Sequence, residues 1–222
     1  MRFLCLHGAS TSGEIFEIQS GGLVQALESQ GHKFQFINGR LSSDCEPELK
    51  GIVPPPFYNH YPRGTAPGSD LLKAIEYTLR TIDREGPFDA VMGFSQGAAL
   101  AYSLLDHHAQ QNGAAAPPLF KAAVFICGGE PYELEGRERA TLSDDGAGAG
   151  AKQYRVRIPT AHIVGRLDPF YEQGMKLYGF CEPGMAELYD HGSKHTIPFD
   201  AGNNDAMVGV IERAIARASK GE

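Results

Sequence analysis

The sequence has little positive charge and no long apolar run. Lysine and arginine number 20 against 27 aspartates and glutamates, which gives a formal net charge of -7. Nucleic acids are bound by clustered basic residues, and the basic residues here are scattered, so we expect no nucleic-acid partner. No apolar stretch approaches the roughly 18 residues that span a bilayer, so we expect no membrane span. The first residues have the pattern of a strand rather than of a signal sequence, which predicts a cytoplasmic protein.

Cysteine is scarce and follows no pairing pattern. The chain contains no C-x-x-C pair, and its four cysteines are far apart: Cys5, Cys45, Cys127 and Cys181. Such spacing is typical of free thiols in a reducing compartment rather than of a disulfide framework. A cysteine nucleophile stays open on composition alone, although none of the four stands in the sequence context of a catalytic turn.

Short apolar runs alternate with helical patterns along the chain. A strand, a helix and a second strand in succession indicate a parallel sheet with right-handed crossovers. Residues 1–222 are predicted to form one α/β domain, with a mainly parallel sheet of about six strands and helices on both faces. The predicted strands are Arg2–Leu6, Lys33–Ile37, the run ending at Gly93, Ala122–Cys127, Thr160–Val164 and Ala186–Tyr189. The predicted helices are Gly22–Gln30, one capped by Ser69 or Asp70 and ending near Arg84, Ala98–Leu105, and one from about Asp205 to Ser219 capped by Asn203.

The stretch Gly93-Phe94-Ser95-Gln96-Gly97 joins a buried strand directly to an Ala- and Leu-rich helix. In this context Gly-x-Ser-x-Gly is the nucleophile elbow of α/β-hydrolases, in which a tight turn requires the glycines and strains the serine backbone. Ser95 is therefore the candidate nucleophile. The N–H of Gln96, at the start of the helix, is the candidate first donor to an oxyanion.

A second glycine-containing turn, residues 7–13, follows the first strand. α/β-Hydrolases place their second oxyanion donor in such a turn, and the N–H of Ala9 is the candidate here. Ser10, beside it, is a candidate substrate-binding residue. We interpret His7 as a structural imidazole that braces the turn through hydrogen bonds. The turn lacks the Gly-Lys-Ser/Thr ending of a phosphate-binding loop.

A serine hydroxyl needs an imidazole base at neutral pH, and the imidazole needs a carboxylate to fix its tautomer. Asp168 follows the apolar strand Thr160–Val164, and His195 follows the strand ending at Tyr189. The chain order serine, aspartate, histidine, with each residue past the end of a different strand, is that of the α/β-hydrolases. Ser95, Asp168 and His195 are the predicted catalytic triad.

Other residues compete for two of these roles. His191 is a rival to His195, while Asp190, Asp200 and Asp205 are rivals to Asp168. The two histidines would suit a metal ion only if their four-residue spacing fell on a helix. Their segment is glycine-rich and is followed by a proline, so no metal site is predicted.

Two long connections have unusual compositions. Residues 38–68 are rich in proline and aromatic residues, and connections of this length are typical of lids or binding loops. We predict that Phe57 and Tyr58 line the apolar part of a substrate pocket; an extended surface connection whose aromatics pack on the core is the alternative. Residues 133–153, charged and then rich in glycine and alanine, are predicted to be a mobile surface excursion without a core of its own.

Taken in order, these motifs resemble the fungal FSH-type serine hydrolases over nearly the whole chain. The resemblance implies a compact α/β-hydrolase with Ser95, Asp168 and His195 as its triad. It also implies an esterase or thioesterase that releases or edits an acyl or polyketide product, whose acyl group an acyl carrier domain of a polyketide synthase can present. A weaker similarity reaches the carboxylesterase and acyl-protein thioesterase group. The matching motifs are Leu4-Cys5-Leu6-His7-Gly8, Gly13-Glu14-Ile15-Phe16, Gly93-Phe94-Ser95-Gln96-Gly97-Ala98, Gly165-x-x-Asp168 and His191-x-x-x-His195-x-x-Pro198.

The predicted reaction is acyl transfer from a small-molecule ester or thioester to Ser95 and then to water. It requires no metal and no organic cofactor. An acyltransferase or cyclase on the same triad remains an alternative, because water exclusion depends on pocket shape. A hydrolase-fold binding protein without turnover is a second alternative, and the sequence leaves the oligomeric state open.

Overall fold

The computed structural model describes residues 1–45, 50–113, 116–141 and 154–220. Strands and helices alternate along this part of the chain, as the sequence predicts. The strands are β1 (Arg2–Leu6), β2 (Lys33–Ile37), β3 (Leu41–Ser43), β4 (Phe57–Asn59), β5 (Ala90–Phe94), β6 (Ala122–Ile126), β7 (Thr160–Val164) and β8 (Ala186–Asp190). The helices are α1 (Gly13–Gln19), α2 (Gly21–Glu28), α3 (Ser69–Glu85), α4 (Gln96–Asn112), α5 (Tyr171–Phe180) and α6 (Ala201–Lys220).

Six strands form one parallel sheet in the order β2-β1-β5-β6-β7-β8. The predicted fold class is confirmed. After β1 the chain continues to β2 on one side, and it later returns to place β5 on the other side of β1. Ligands of open α/β sheets bind outside the carboxyl ends of the strands at such a reversal. The predicted nucleophile turn after β5 and the glycine turn after β1 therefore lie side by side.

The core consists of an apolar layer on each face of the sheet. Along β1, Leu4 and Leu6 belong to one layer, whereas Phe3 and Cys5 belong to the other. Helices α3, α4 and α5 cover the first layer, and α1, α2 and α6 cover the second. The central strands are buried on both faces, which explains why their sequences are continuous apolar runs rather than alternating ones.

The structure contains two helices that the sequence analysis did not predict. Helix α1 has only seven residues, and the Ser12 side chain caps it by accepting from the Ile15 N–H. Helix α5 contains Gly174 and Gly179, which weaken a helical pattern. Packing on the sheet stabilises both helices, because Phe16 of α1 is fully buried in one core layer and the α5 side chains pack in the other.

Two predicted helix caps are wrong. Helix α3 begins after Gly68, whose φ of 56° suits glycine, and neither Ser69 nor Asp70 caps it. Helix α6 begins at Ala201, so Asn203 lies in its first turn. The Asn203 N–H donates to the Asp200 carboxylate at 3.1 Å, which makes Asp200 the capping residue.

The structure describes part of each of the two long connections. Residues 38–68 include β3 and β4, which form an antiparallel pair. Residues 133–141 are not a surface excursion, because Leu134 and Ala140 are buried in the core and Arg155 forms an ion pair with Glu133. The remainder of the predicted excursion, residues 142–153, lies outside the described residues.

All four cysteines lie within the described residues, and all are unpaired. Cys5, Cys127 and Cys181 are buried, whereas Cys45 is only partly covered. Among the described helices, none has the length and apolar character needed to cross a membrane.

Candidate active site

The turn between β5 and α4 has the geometry of a nucleophile elbow. Ser95 has a φ of 52°, in the left-handed region that non-glycine residues rarely adopt. A Cβ on Gly93 would overlap the main chain of Gly97, and a Cβ on Gly97 would overlap the carbonyl oxygen of Leu6. The Ser95 N–H donates to Ile126 O at 2.9 Å, which fastens the turn to β6. Only glycine at the two flanking positions permits this close packing.

Ser95, His195 and Asp168 form a continuous chain of hydrogen bonds. His195 Nε2 lies 2.9 Å from Ser95 Oγ, and His195 Nδ1 lies 2.7 Å from Asp168 Oδ2. The other Asp168 oxygen accepts from the Phe170 N–H at 2.8 Å. Burial alone would raise the pKa of Asp168, but the hydrogen bonds from His195 and the Phe170 N–H outweigh burial and hold this pKa below its ordinary value. Asp168 therefore remains ionised as the partner of His195.

The rival residues lie elsewhere. His191 Nδ1 accepts from the Ser193 N–H at 3.2 Å, and its Nε2 lies 3.7 Å from Cys127 Sγ rather than beside Ser95. Asp190 pairs with the Arg166 side chain at 2.9 Å. Asp200 and Asp205 belong to the start of α6. Within the described chain, Asp168 is the carboxylate paired with His195.

The turn after β1 lies against the nucleophile. A Cβ on Gly8 would be 2.9 Å from the Phe94 ring and 3.4 Å from Cβ of Ser95. Among the described residues, no acceptor takes the backbone N–H of either Ala9 or Gln96. Both candidate oxyanion donors are therefore available to a ligand.

His7 stabilises this turn through both ring nitrogens. Its Nε2 lies 2.9 Å from the Gly39 N–H, which can only donate, so Nε2 accepts. The proton is then on Nδ1, which donates to Gly8 O at 2.6 Å. These contacts agree with the structural role predicted for His7.

Phe57 and Tyr58, the predicted pocket residues, lie in β4 and are half-buried. The Tyr58 N–H donates to Thr11 O at 2.6 Å, so β4 is joined directly to the turn after β1. Ser10 is buried, and its N–H donates to Asn59 Oδ1 at 2.7 Å. The segment 38–68 thus reaches the edge of the candidate active site.

The family model described as Serine hydrolase (FSH1) matches residues 1–207. This chain belongs to that family. Esterase FPY3 of Fusarium mangiferae is 32% identical to this chain over the full length of both proteins. Hydrolase phiM of Talaromyces stipitatus is 28% identical, with 96% of this chain and 87% of the relative covered.

Solved structures with low sequence identity share the fold of this serine hydrolase. SOBER1 of Arabidopsis thaliana has a TM-score of 0.60 at 17% identity, and the match covers 97% of this chain and 99% of that chain. A carboxylesterase of Bacillus cereus has a TM-score of 0.58 at 14% identity, with 96% and 87% covered. The α/β-hydrolase architecture is therefore shared by proteins with little sequence similarity to this chain, a carboxylesterase among them.

Two aromatic rings flank the imidazole of the serine hydrolase. The Phe94 ring lies 5.0 Å from the His195 ring, measured between centroids, and the Phe170 ring meets His195 edge-on at 5.1 Å. Such contacts restrict the rotation of the imidazole. Sequence reasoning missed both aromatics, although Phe94 stands beside Ser95 and Phe170 is two residues from Asp168.

Cys127 is a further neighbour that the sequence did not associate with the site. Ligand atoms of Cys127, Asp168 and His195 all lie within 4.8 Å of one another. The 2.7 Å between His195 and Asp168 suits a hydrogen bond, whereas two ligands of a tetrahedral zinc would be about 3.3 Å apart. Burial and the nearby Asp168 charge raise the pKa of the Cys127 thiol. The spacing of His195 and Asp168 therefore fits a hydrogen-bonded triad with an adjacent thiol.

Because three histidines are buried, we expect the free energy of unfolding of this protein to fall in mild acid. Burial lowers the pKa of His7 to about 4, lowers that of His162 to about 3, and holds that of His60 well below its ordinary value. The unfolded chain, whose histidines have a pKa near 6.5, therefore binds more protons than the folded chain as the pH falls below about 6.5. Each histidine should lower the free energy of unfolding by about 1.4 kcal/mol per pH unit until its folded form protonates.

Urea unfolding at pH 7.5, 6 and 5 measures this loss. His162 lies in β7, where its ring contacts Phe125 and Tyr178. We expect His162→Phe to reduce the slope of the free energy of unfolding against pH by the contribution of about one proton. Equal free energies of unfolding at pH 7.5 and pH 5 would show that these histidines are not neutral in the folded protein.

Proposed function

We propose that this serine hydrolase cleaves a small-molecule ester or thioester through an acyl-enzyme on Ser95. The observation that carries the proposal is the hydrogen-bond chain from Ser95 through His195 to Asp168 at the carboxyl ends of three strands. A binding protein would not require a nucleophile, a base and an ionised carboxylate in this order.

In the first step His195 Nε2 takes the hydroxyl proton as Ser95 Oγ attacks the acyl carbon. Asp168 accepts from His195 Nδ1–H, which leaves Nε2 free as a base, and it stabilises the imidazolium that forms. The tetrahedral intermediate then breaks the bond to the leaving alcohol or thiol, which takes the proton from His195. Water then attacks the acyl carbon while His195 Nε2 takes a proton from the water. The bond between the acyl carbon and Ser95 Oγ breaks, Oγ takes the proton back from His195, and the carboxylic acid leaves.

The negative charge on the carbonyl oxygen needs donors that are in place before the reaction. In our proposal the N–H groups of Gln96 and Ala9 supply them, since both lack an acceptor among the described residues. Removing one such donor typically raises the barrier by roughly 3 kcal/mol. Donors fixed by the backbone need no rearrangement when the charge develops.

The surroundings of Asp168 support an apolar acyl group. Leu167 is 66% exposed and Phe170 is 38% exposed, so apolar surface borders the candidate triad. Isolated apolar residues on a surface are ordinary, but two beside a reactive site suit an acyl or aromatic chain. The resemblance to fungal FSH-type hydrolases supports an acyl or polyketide substrate, presented free or on an acyl carrier domain. The buried, unpaired thiols suit a reducing compartment, and on that basis we propose a cytoplasmic location.

The test is a panel of matched substrates. Each acyl chain is offered as an oxoester and as an N-acetylcysteamine thioester, and products are identified by mass spectrometry with wild type and Ser95→Ala. Free acid from wild type and none from Ser95→Ala supports the proposal. Acyl products formed with added alcohols or amines in preference to free acid would indicate a transferase. Saturable binding without turnover of any substrate would indicate a binding protein.

We also propose that the connection 38–68 borders the acyl pocket through β4, at Phe57 and Tyr58. If Phe57 and Tyr58 contact the acyl chain, Phe57→Ala and Tyr58→Ala should raise KM for long acyl chains about 5- to 30-fold, because each substitution removes roughly 1–2 kcal/mol of apolar contact. Their effect on short acetyl esters should be small. Steady-state kinetics over a series of chain lengths measures the difference.

The matched control for these variants is Leu72→Ala, which truncates a side chain on α3 that is 37% exposed. It should leave KM unchanged at every chain length. If Phe57→Ala and Tyr58→Ala behave like Leu72→Ala, the segment is a surface connection and not part of the pocket.

A further inference from the structure

The strand β4 and the two residues after it bridge the turn after β1 and the nucleophile elbow. On one side, the Tyr58 N–H donates to Thr11 O at 2.6 Å, and Asn59 Oδ1 accepts from the Ser10 N–H at 2.7 Å. On the other side, the main chain of His60 and Tyr61 forms hydrogen bonds with the side chain of Gln96, the residue after Ser95. One short segment therefore touches both walls of the proposed oxyanion hole.

The Gln96 side chain forms the contact with the elbow. Its Oε1 accepts from the His60 N–H at 2.9 Å, and its Nε2 donates to Tyr61 O at 2.9 Å. The residue is 7% exposed, so these bonds are shielded from water. The Gln96 side-chain amide thus both accepts from and donates to the main chain of His60 and Tyr61, as the backbone of a neighbouring strand would. Losing it would leave a buried N–H and a buried carbonyl unpaired.

The Asn59 side chain holds a strained backbone. Ser10 has a φ of 57°, one of three positive values at non-glycine residues in the described chain. Such a conformation is retained only where surrounding contacts enforce it. The bond from the Ser10 N–H to Asn59 is such a contact, and Ser10 directly follows Ala9, the proposed second donor. The orientation of the Ala9–Ser10 peptide therefore depends on β4.

A buried histidine pair completes the connection. The His60 ring nitrogen Nε2 lies 3.0 Å from His7 O, and the two imidazole rings are 4.6 Å apart. His7 in turn donates to Gly8 O. Main-chain groups on both sides of Ala9 are thereby held by residues that contact the segment 59–61.

We propose that Asn59 and Gln96 are positioning residues whose side chains set the spacing between the Ala9 and Gln96 N–H groups. This inference rests on the proposed function. It makes residues 59–61 part of the catalytic geometry, in addition to any contact that Phe57 and Tyr58 make with substrate. The competing interpretation is that these bonds only satisfy buried polar groups and contribute to stability.

The test compares Asn59→Ala and Gln96→Leu with wild type on one ester substrate. We expect kcat to fall about 10- to 100-fold with KM within twofold, because misplaced donors weaken only the bond to the developing oxyanion. A trifluoromethyl ketone adds to Ser95 Oγ and places an oxyanion in the same position, so its affinity should fall by a similar factor. Asn59→Ala should fold, because the Asn59 main chain remains paired with Leu41 of β3.

Asn38→Ala is the matched control. Asn38 Oδ1 accepts from the Gly13 N–H at 2.9 Å, which is the same kind of bond to the same loop but at the start of α1. It should leave kcat unchanged. Thermal unfolding of each variant separates loss of stability from loss of rate.

The inference is overturned if Asn59→Ala and Gln96→Leu keep kcat within threefold of wild type while Ser95→Ala abolishes turnover. It is also overturned if Asn38→Ala lowers kcat as much as they do. Unchanged turnover in Ser95→Ala would instead contradict the proposed function itself.

Discussion

Ser95→Ala is expected to lower kcat for ester hydrolysis by about 10⁴- to 10⁶-fold while KM changes little. The reason is that the variant lacks the oxygen that forms the acyl-enzyme, so any remaining rate comes from binding and from the oxyanion donors alone. Asp168→Asn should lower kcat by about 10⁴-fold, since an amide at this position favours the wrong tautomer of His195. Combining the two substitutions should reduce the rate no further than Ser95→Ala alone, because the residues act as a unit.

Two variants serve as controls for this prediction. Ser103→Ala removes a buried hydroxyl that donates to Ala99 O within α4, the helix that Ser95 precedes. Asp190→Asn changes the rival carboxylate, which pairs with Arg166. Both should retain kcat near that of wild type. If Ser95→Ala kept more than a hundredth of the wild-type kcat, or if Asp190→Asn matched Asp168→Asn, the assignment of the triad would be wrong.

Gly97→Ala is expected to have the largest effect on folding. The added Cβ would overlap the carbonyl oxygens of Leu6 and His7, which belong to the neighbouring strand and its turn. Relief would require moving α4 away from β1, and strain of this kind in a packed core destabilises by about 3 kcal/mol or more. We therefore expect Gly97→Ala to unfold at much lower urea concentration or to be recovered only as insoluble protein.

Gly179→Ala provides the comparison for that substitution. Gly179 lies in α5, and a Cβ there meets no described atom within 4 Å apart from its neighbours along the helix. Because alanine is the better helix former, this variant should be unchanged or more stable by about 0.5–1 kcal/mol. Equal stabilities of Gly97→Ala and Gly179→Ala in urea unfolding would contradict the tight approach of α4 to β1.

The strands of the large sheet could be predicted from sequence because each is a short apolar or alternating run bounded by turn residues. Arg2–Leu6 and Lys33–Ile37 are predicted residue for residue. The short helices α1 and α5 could not be predicted in this way, since packing on the sheet, rather than a strong helical pattern, stabilises them. The antiparallel pair of β3 and β4 escaped prediction because proline and aromatic residues dominate the composition of its segment.

The candidate triad was accessible to sequence reasoning because its chemistry requires particular residue types after particular strands. Asn59, Cys127 and the contacts of the Gln96 side chain were not accessible in the same way, because they depend on residues far apart in the chain. An asparagine in a proline-rich stretch carries no local sign that its side chain holds the loop at Ser10. Tertiary contacts alone bring such residues to the site.

Backbone strain marks the site independently of any motif. In the described chain the non-glycine residues with positive φ are Ser10, Ser95 and Cys127. Each follows the carboxyl end of a strand, namely β1, β5 and β6, and these strands are neighbours in the sheet. Strained residues concentrate where function holds them in place. This grouping supports a single active site at the reversal of strand order.

The central claim is that Ser95 is a nucleophile activated by His195. Intact-protein mass spectrometry after incubation with a fluorophosphonate tests it most directly, because the probe bonds covalently to an activated serine without requiring the natural substrate. We expect one adduct per wild-type chain, located on Ser95 by peptide mapping, and none on folded Ser95→Ala or His195→Ala. A folded wild-type protein that stays unlabelled, or an adduct on a residue other than Ser95, would contradict the claim.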